Sequence, residues 1–191
     1  MRLTFLLIFS FIVCSCNSVY IPKPKAYPRI DLPVKEYQQF NQKNFPFTFE
    51  YPKYASISKD SSYFEKTLDN QFWINVDFPS IGGRIYLTYK FVNNDINLLV
   101  KDAYQLTSKQ QYKASIIQDS SFINPQGYDG VFFYVGGEVA TKYQFFVTDS
   151  KKHFLRGALY FNTSPNEDSL ALVNDFVKED MLKLINTLKF R

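Results

Sequence analysis

The density and spacing of aromatic rings limit the possible folds more than any other feature of this chain. There are 20 Phe, 14 Tyr and a single Trp in 191 residues. From Phe45 onward the rings fall mostly in runs of period two, the spacing that sends alternate side chains to opposite faces of a strand. Rings on that spacing favour a pleated, half-buried surface over a helical bundle. In Phe72-Trp73-Ile74-Asn75-Val76-Asp77-Phe78, residues Phe72, Ile74, Val76 and Phe78 share one face. Pro79-Ser80-Ile81-Gly82-Gly83 reads as a turn, and Arg84-Ile85-Tyr86-Leu87-Thr88-Tyr89-Lys90 as the returning strand of a hairpin. Residues 47–51 alternate between Pro46 and Pro52, which predicts an edge strand, and residues 54–58 continue extended.

The period then changes. Ile96, Leu99, Val100, Ala103, Tyr104 and Leu106 recur at spacings of three and four behind Asn93-Asn94-Asp95, predicting an amphipathic helix over about 95–113. Strands are predicted over 114–121, 130–136, 142–149 and 153–162. Asn124-Pro125-Gln126-Gly127, Gly136-Gly137 and Asp149-Ser150-Lys151-Lys152 punctuate them as turns. Ser164-Pro165-Asn166-Glu167 has capping-box spacing with Pro at the first helical position. Behind it Leu170, Val173, Val177, Met181, Leu184, Ile185 and Leu188 form an apolar stripe, and Asn174, Asp175, Lys178, Glu179, Lys183 and Asn186 lie opposite. The order predicts an α+β fold over residues 45–191: one domain with a largely antiparallel sheet of about six to eight strands and two amphipathic helices packed on it.

The first sixteen residues carry a different message. After Arg2 comes an apolar run, residues 3–13, too short for the roughly 20 residues of a spanning helix and of the length of a signal core. Val13-Cys14-Ser15-Cys16 follows. A bacterial lipoprotein signal ends in an aliphatic residue at −3, a small one at −1, and then the Cys that is lipidated and becomes the first residue. Cys16 fits, with Val13 and Ser15 in those places and cleavage between Ser15 and Cys16. Cys14 fits badly, because Phe11 and Val13 would hold them. The division is therefore signal 1–15, lipidated Cys16 with a tether through residue 44, and the domain. Pro22, Pro24, Pro28 and Pro33 favour extended polyproline-II chain, a semi-rigid spacer. Asn17-Ser18-Val19-Tyr20 lacks the acidic cluster that exports some lipoproteins to the cell exterior, which favours an anchor in the inner or outer membrane facing the periplasm.

Several chemistries drop out. Lys and Arg number 22 against 18 Asp and Glu, too balanced and scattered for a nucleic-acid surface. Two Cys and one His exclude a disulfide framework and a zinc site built from His and Cys. No cofactor or metal is expected. His153 beside a turn reads as a surface residue. Asp119, Asp129 and Glu138 fall near strand ends, where carboxylates usually cap turns; convergence of the three would instead mark an acid–base site. The runs Phe132-Phe133-Tyr134, Tyr143-Gln144-Phe145-Phe146 and Leu159-Tyr160-Phe161 place rings on both faces of their strands. Either both faces are core or one is a patch that a partner covers.

Tyr20-Ile-Pro-Lys-Pro-Lys-Ala-Tyr-Pro-Arg-Ile-Asp-Leu-Pro33, Tyr37, Phe40 and Pro46-Phe-Thr-Phe-Glu-Tyr-Pro52 together resemble the gliding-motility lipoprotein GldD family of Bacteroidetes. Trp73-Ile74-Asn75, Tyr128-Asp129-Gly130 and the closing helix are similar too. The resemblance implies a part in gliding, coupled in that phylum to type 9 secretion, and it implies no catalytic residue. The order of elements also looks like the Mog1/PsbP-type α/β/α sandwich, a likeness that does not set function. Two functions are then expected in competition. One is a non-enzymatic accessory or scaffold, held to membrane lipid by acylated Cys16 and meeting other gliding or secretion proteins. The other is a binder of a small ligand or envelope polymer, or a hydrolase, using a cleft between sheet and helix.

Overall fold

A computed structural model describes residues 30–60 and 71–191. The signal segment, the Ser15–Cys16 junction and the tether through residue 29 lie outside them. The strands are β1 (Tyr37–Phe40), β2 (Phe47–Pro52), β3 (Ser56–Lys59), β4 (Ile74–Phe78), β5 (Gly83–Phe91), β6 (Ala114–Ile123), β7 (Asp129–Gly137), β8 (Tyr143–Thr148), β9 (His153–Phe161) and β10 (Lys189–Phe190). The helices are α1 (Ile96–Ser108) and α2 (Glu167–Thr187). Seven strands form one antiparallel sheet in the order β3-β4-β5-β9-β8-β7-β6, and β1-β2-β10 form a small second sheet.

Strand periodicity sorts the large sheet into two buried faces. Ile85, Leu87, Tyr89, Tyr143, Phe145, Val147, Leu155 and Leu159 point to one, where they pack with Phe40, Phe47 and Phe49 of the small sheet and with Val177, Met181, Leu184 and Ile185 of α2. Val131, Phe133, Phe146 and Phe154 point to the other, against Leu99 and Ala103 of α1. Both helices thus lie on the sheet, on opposite faces, and the ring-rich runs of β7 and β8 pack on both sides, while Tyr160 and Phe161 of β9 are half-buried. Their rings do not form an exposed aromatic patch.

Other expectations need correction. β2 is the central strand of the small sheet, not an edge. Its two prolines sit where no ladder donor is needed: Pro52 closes the strand, and the Pro46 carbonyl accepts from the Arg191 N–H at 2.9 Å. The tether was expected to run through residue 44, but Tyr37–Phe40 already pairs with β2. α1 ends at Ser108, five residues early, in a run of turns. α2 begins two residues after Pro165. Its N-cap is Asn166, not Ser164, and the Asn166 side chain accepts from the Ser169 N–H at 2.9 Å. In the Asn124 turn the side chain is buried and doubly used. Its Oδ1 accepts from the N–H groups of Gln126 and Tyr128, while Nδ2 donates to the Ile185 carbonyl near the end of α2.

Packing between β8 and β9 leaves room for no side chain at Gly157. A Cβ there would meet the Phe145 ring at 2.2 Å, and that ring is fully buried. Gly157→Ala is expected to cost about 1–3 kcal/mol, the usual penalty of overpacking a closed core. A thermal melt that matches the wild type would show that the ring can move aside.

Candidate functional site

α1 covers only part of its face of the sheet. The open remainder, over β4, β5 and β9, forms a cleft of about 720 Å³ against the helix. Its floor follows from register. Asn75, Tyr86, Ala158 and Gln144 stand in one cross-strand row, and Thr88, Arg156 and Phe146 in the next. Ala158 supplies the depth, since its methyl sits between longer side chains. Trp73, Phe154 and Tyr160 add rings, Leu99, Ala103 and Leu106 form the helix side, and Lys90, Asp60 and Asp102 also line the space.

Arg156 dominates the electrostatics. Among the described residues its one hydrogen bond runs from Nη2 to Gln144 Oε1. Burial pushes the guanidinium pKa down, with Tyr160 opposing the shift. Behind it Gln144 is 1% exposed and Asn75 2%. Gln144 Oε1 also lies 3.4 Å from the Thr107 hydroxyl, yet Gln144 Nε2 and Asn75 Oδ1 are buried with no hydrogen-bond partner. Buried polar atoms are nearly always paired, so two orphans in one row mark an unusual floor.

The acidic candidates do not gather there. Asp119 lies within β6, where its Oδ2 accepts from the Tyr104 hydroxyl at 3.0 Å. Asp129 opens β7 and exposed Glu138 follows its end, about 30 Å apart along extended chain. His153 is buried, not on the surface as expected. Its Nδ1 is 2.6 Å from the Tyr89 hydroxyl, and its ring stacks on Phe190 at 4.9 Å. Burial lowers its pKa; Asp149 opposes and Lys152 adds to the shift. Its burial, the Tyr89 contact and the stacked Phe190 ring make His153 part of the core. Among the described residues no group of three or more His, Cys, Asp or Glu is placed to hold a metal ion.

A second polar cluster went unforeseen. Asp180 of α2 is 1% exposed. Its Oδ1 accepts from Lys35 Nζ at 3.0 Å and the Tyr37 hydroxyl at 2.9 Å, and its Oδ2 from the Tyr54 hydroxyl. Lys35 also donates to the Phe176 carbonyl at 2.7 Å and lies over the Phe176 ring. Burial first, and Asp180 second, push both phenols well above the ordinary tyrosine range, so both remain donors. The signal was present: position 180 falls seven residues after Val173 and four before Leu184, on the spacing of the apolar stripe. A carboxylate at such a place needs partners.

The far edge of the sheet is also distinctive. β6 has one neighbour, β7, and its other edge is unpaired among the described residues. Asp119 is its sole charged residue. Ile116, Ile117 and Ile123 are exposed along it, with Tyr112 just before it. Beside its end, Ile96, Val100, Ile123, Val131 and Phe146 line a groove of about 700 Å³.

Comparison with curated proteins returns no match. Among solved structures the chain is similar to "Solution Structure of Cyanobacterial PsbP (CyanoP) from Synechocystis sp. PCC 6803". The identity is 12% and the TM-score 0.49, over 94% of this chain and 99% of that one. No helix among the described residues is long and apolar enough to cross a membrane. A family model described as "Gliding motility lipoprotein GldD" matches residues 17–190, nearly the whole chain. A lipoprotein of that family is anchored in the cell envelope and associated with gliding motility. This chain therefore belongs to the GldD family of gliding motility lipoproteins.

Proposed function

We propose that this protein is a non-enzymatic accessory of the gliding and type 9 secretion apparatus, tethered through acylated Cys16 and facing the periplasm. Its work is to hold another envelope protein near the membrane. Confinement by the tether raises the effective concentration of both, so a weak contact suffices.

The observation that carries this reading is the edge of β6 that no other strand among the described residues pairs. Sheets normally blunt an exposed edge with Lys, Pro or a bulge, because unpaired backbone groups recruit another strand. β6 is ten residues long, and its only register irregularity lies at its start, between Ala114 and Ile116. Exposed isoleucines on such an edge, beside an apolar groove, suit addition of a strand from a partner.

Crosslinking with mass spectrometry in gliding cells tests this. Lys109 and Lys113, which flank the start of β6, are expected to link to another envelope protein. Ile117→Lys, a change at an exposed edge position, should abolish those links and colony spreading while moving the melting temperature by no more than about 2 °C. Links that persist in that variant, or that arise only from other faces, would rule out the β6 edge as the contact.

A further inference from the structure

The cleft over β4, β5 and β9 is built around a cation that has no carboxylate partner among the described residues. Among the described residues Arg156 takes part in no ion pair, and only Gln144 accepts from its five donors. Arg156 is only partly buried and lines the cleft, so its remaining donors face that space. Register puts Thr88 directly opposite Arg156 and Lys90 opposite Phe154, two residues along the same strand as Arg156. Diagonal neighbours of that kind lie about 7–8 Å apart. A hydroxyl and two cations therefore converge on one stretch of floor. Around it stand the rings of Trp73, Tyr86 and Tyr160. The volume falls within the range of small-molecule sites, which combine apolar walls with a few placed polar groups.

The geometry points to a binding site for a small organic monoanion, a ring that carries one carboxylate. The carboxylate meets the guanidinium fork of Arg156, a planar match that a lysine cannot supply. Thr88 and Lys90 complete its shell, and the ring lies against Trp73, Tyr86 or Tyr160. Asp60 and Asp102 line the same space and weaken its positive potential. They favour a single negative charge over a phosphate that carries more. The buried Gln144 behind Arg156 holds the guanidinium in place through Oε1.

Trp73 makes the test direct, because it is the single Trp of the chain and it lines the cleft. Its emission can be followed in the full lipidated protein in a sugar-based detergent. Cyclohexanecarboxylate and D-glucuronate serve as probes, against their neutral counterparts cyclohexylmethanol and D-glucose, and against inorganic phosphate. The expected result is a saturable change with at least one of the two acids, at least tenfold tighter than with its neutral counterpart or with phosphate. Which acid binds tells a plain ring from a sugar. Arg156→Gln should weaken that binding tenfold or more. Should that variant melt early, Lys90→Gln, a change at an exposed side chain, should weaken it several-fold in a fully folded protein. The site is refuted by equal titration with acid and neutral ring, by preference for phosphate, by unchanged binding in both variants, or by no saturable change with either acid.

Discussion

Asp180→Ala is expected to lose about 3 kcal/mol of stability and to melt roughly 6–12 °C below the wild type. The reason is the number of groups that one carboxylate satisfies. Removal leaves the hydroxyls of Tyr37 and Tyr54 without their acceptor, and it takes from Lys35 a counter-charge in a place where its side chain is 22% exposed. A hydrogen bond to a charged group contributes about 1.5–3 kcal/mol, and a buried donor left unpaired costs about as much as it once gained. Lys35 keeps the Phe176 carbonyl and Glu179 at 3.2 Å, which limits the loss. Asp180→Asn retains one acceptor oxygen and should fall between. Tyr54→Phe in the Asp180→Ala background should cost little further, because the two changes remove the same bond. Thermal or urea unfolding of the three variants decides the matter. A melt of Asp180→Ala within about 2 °C of the wild type would mean that water replaces the carboxylate.

Cys16→Ala should have the larger effect in the cell. In the proposed anchoring the sulfur of Cys16 takes the diacylglyceryl group, and Ala offers no nucleophile in its place. Each buried methylene adds about 0.8 kcal/mol, and one chain gives an association constant of only about 10⁴ M⁻¹, so stable anchoring needs two or more. The expected outcome is loss of the acylated N-terminus in intact-mass analysis, loss of lipid-held membrane association, and loss of colony spreading. Wild-type protein from its own host with an unmodified Cys16 would overturn the tether, as would a Cys16→Ala strain that glides normally.

Much of this fold was legible because its elements declare themselves locally. β4 and β5 follow from strict alternation, and α2 from an apolar stripe, although its cap is Asn166 and not Ser164. Features that depend on distant partners were not legible. Tyr-Gln-Gln-Phe at 37–40 has no strand signature of its own and becomes β1 because β2 lies beside it. Lys189–Phe190 is a strand only through the same neighbour. For β2 the two prolines suggested an edge, since period and punctuation do not count flanking strands. The cleft was anticipated as a place but not in its residues. Asp129, Glu138 and His153 stand out in the sequence as titratable groups at strand ends, whereas Arg156 sits in mid-strand between Leu155 and Gly157. Its signal was there to read: one cation in the middle of a largely apolar strand has either a partner or a purpose. Asp180 is the same lesson on a helix.

The clasp at Asp180 has a mechanical consequence. If the chain is anchored at Cys16 as proposed, a pull from the membrane enters the domain just before Lys35 and Tyr37, the residues that grip α2. Tension is then met first by the bonds of Lys35 and Tyr37 to the Asp180 carboxylate, together with the pairing of β1 to β2. The seven-stranded sheet, its cleft and the β6 edge lie downstream of that grip. A protein that works where cells drag themselves over surfaces would in this way keep its recognition surfaces undistorted while its leash is taut.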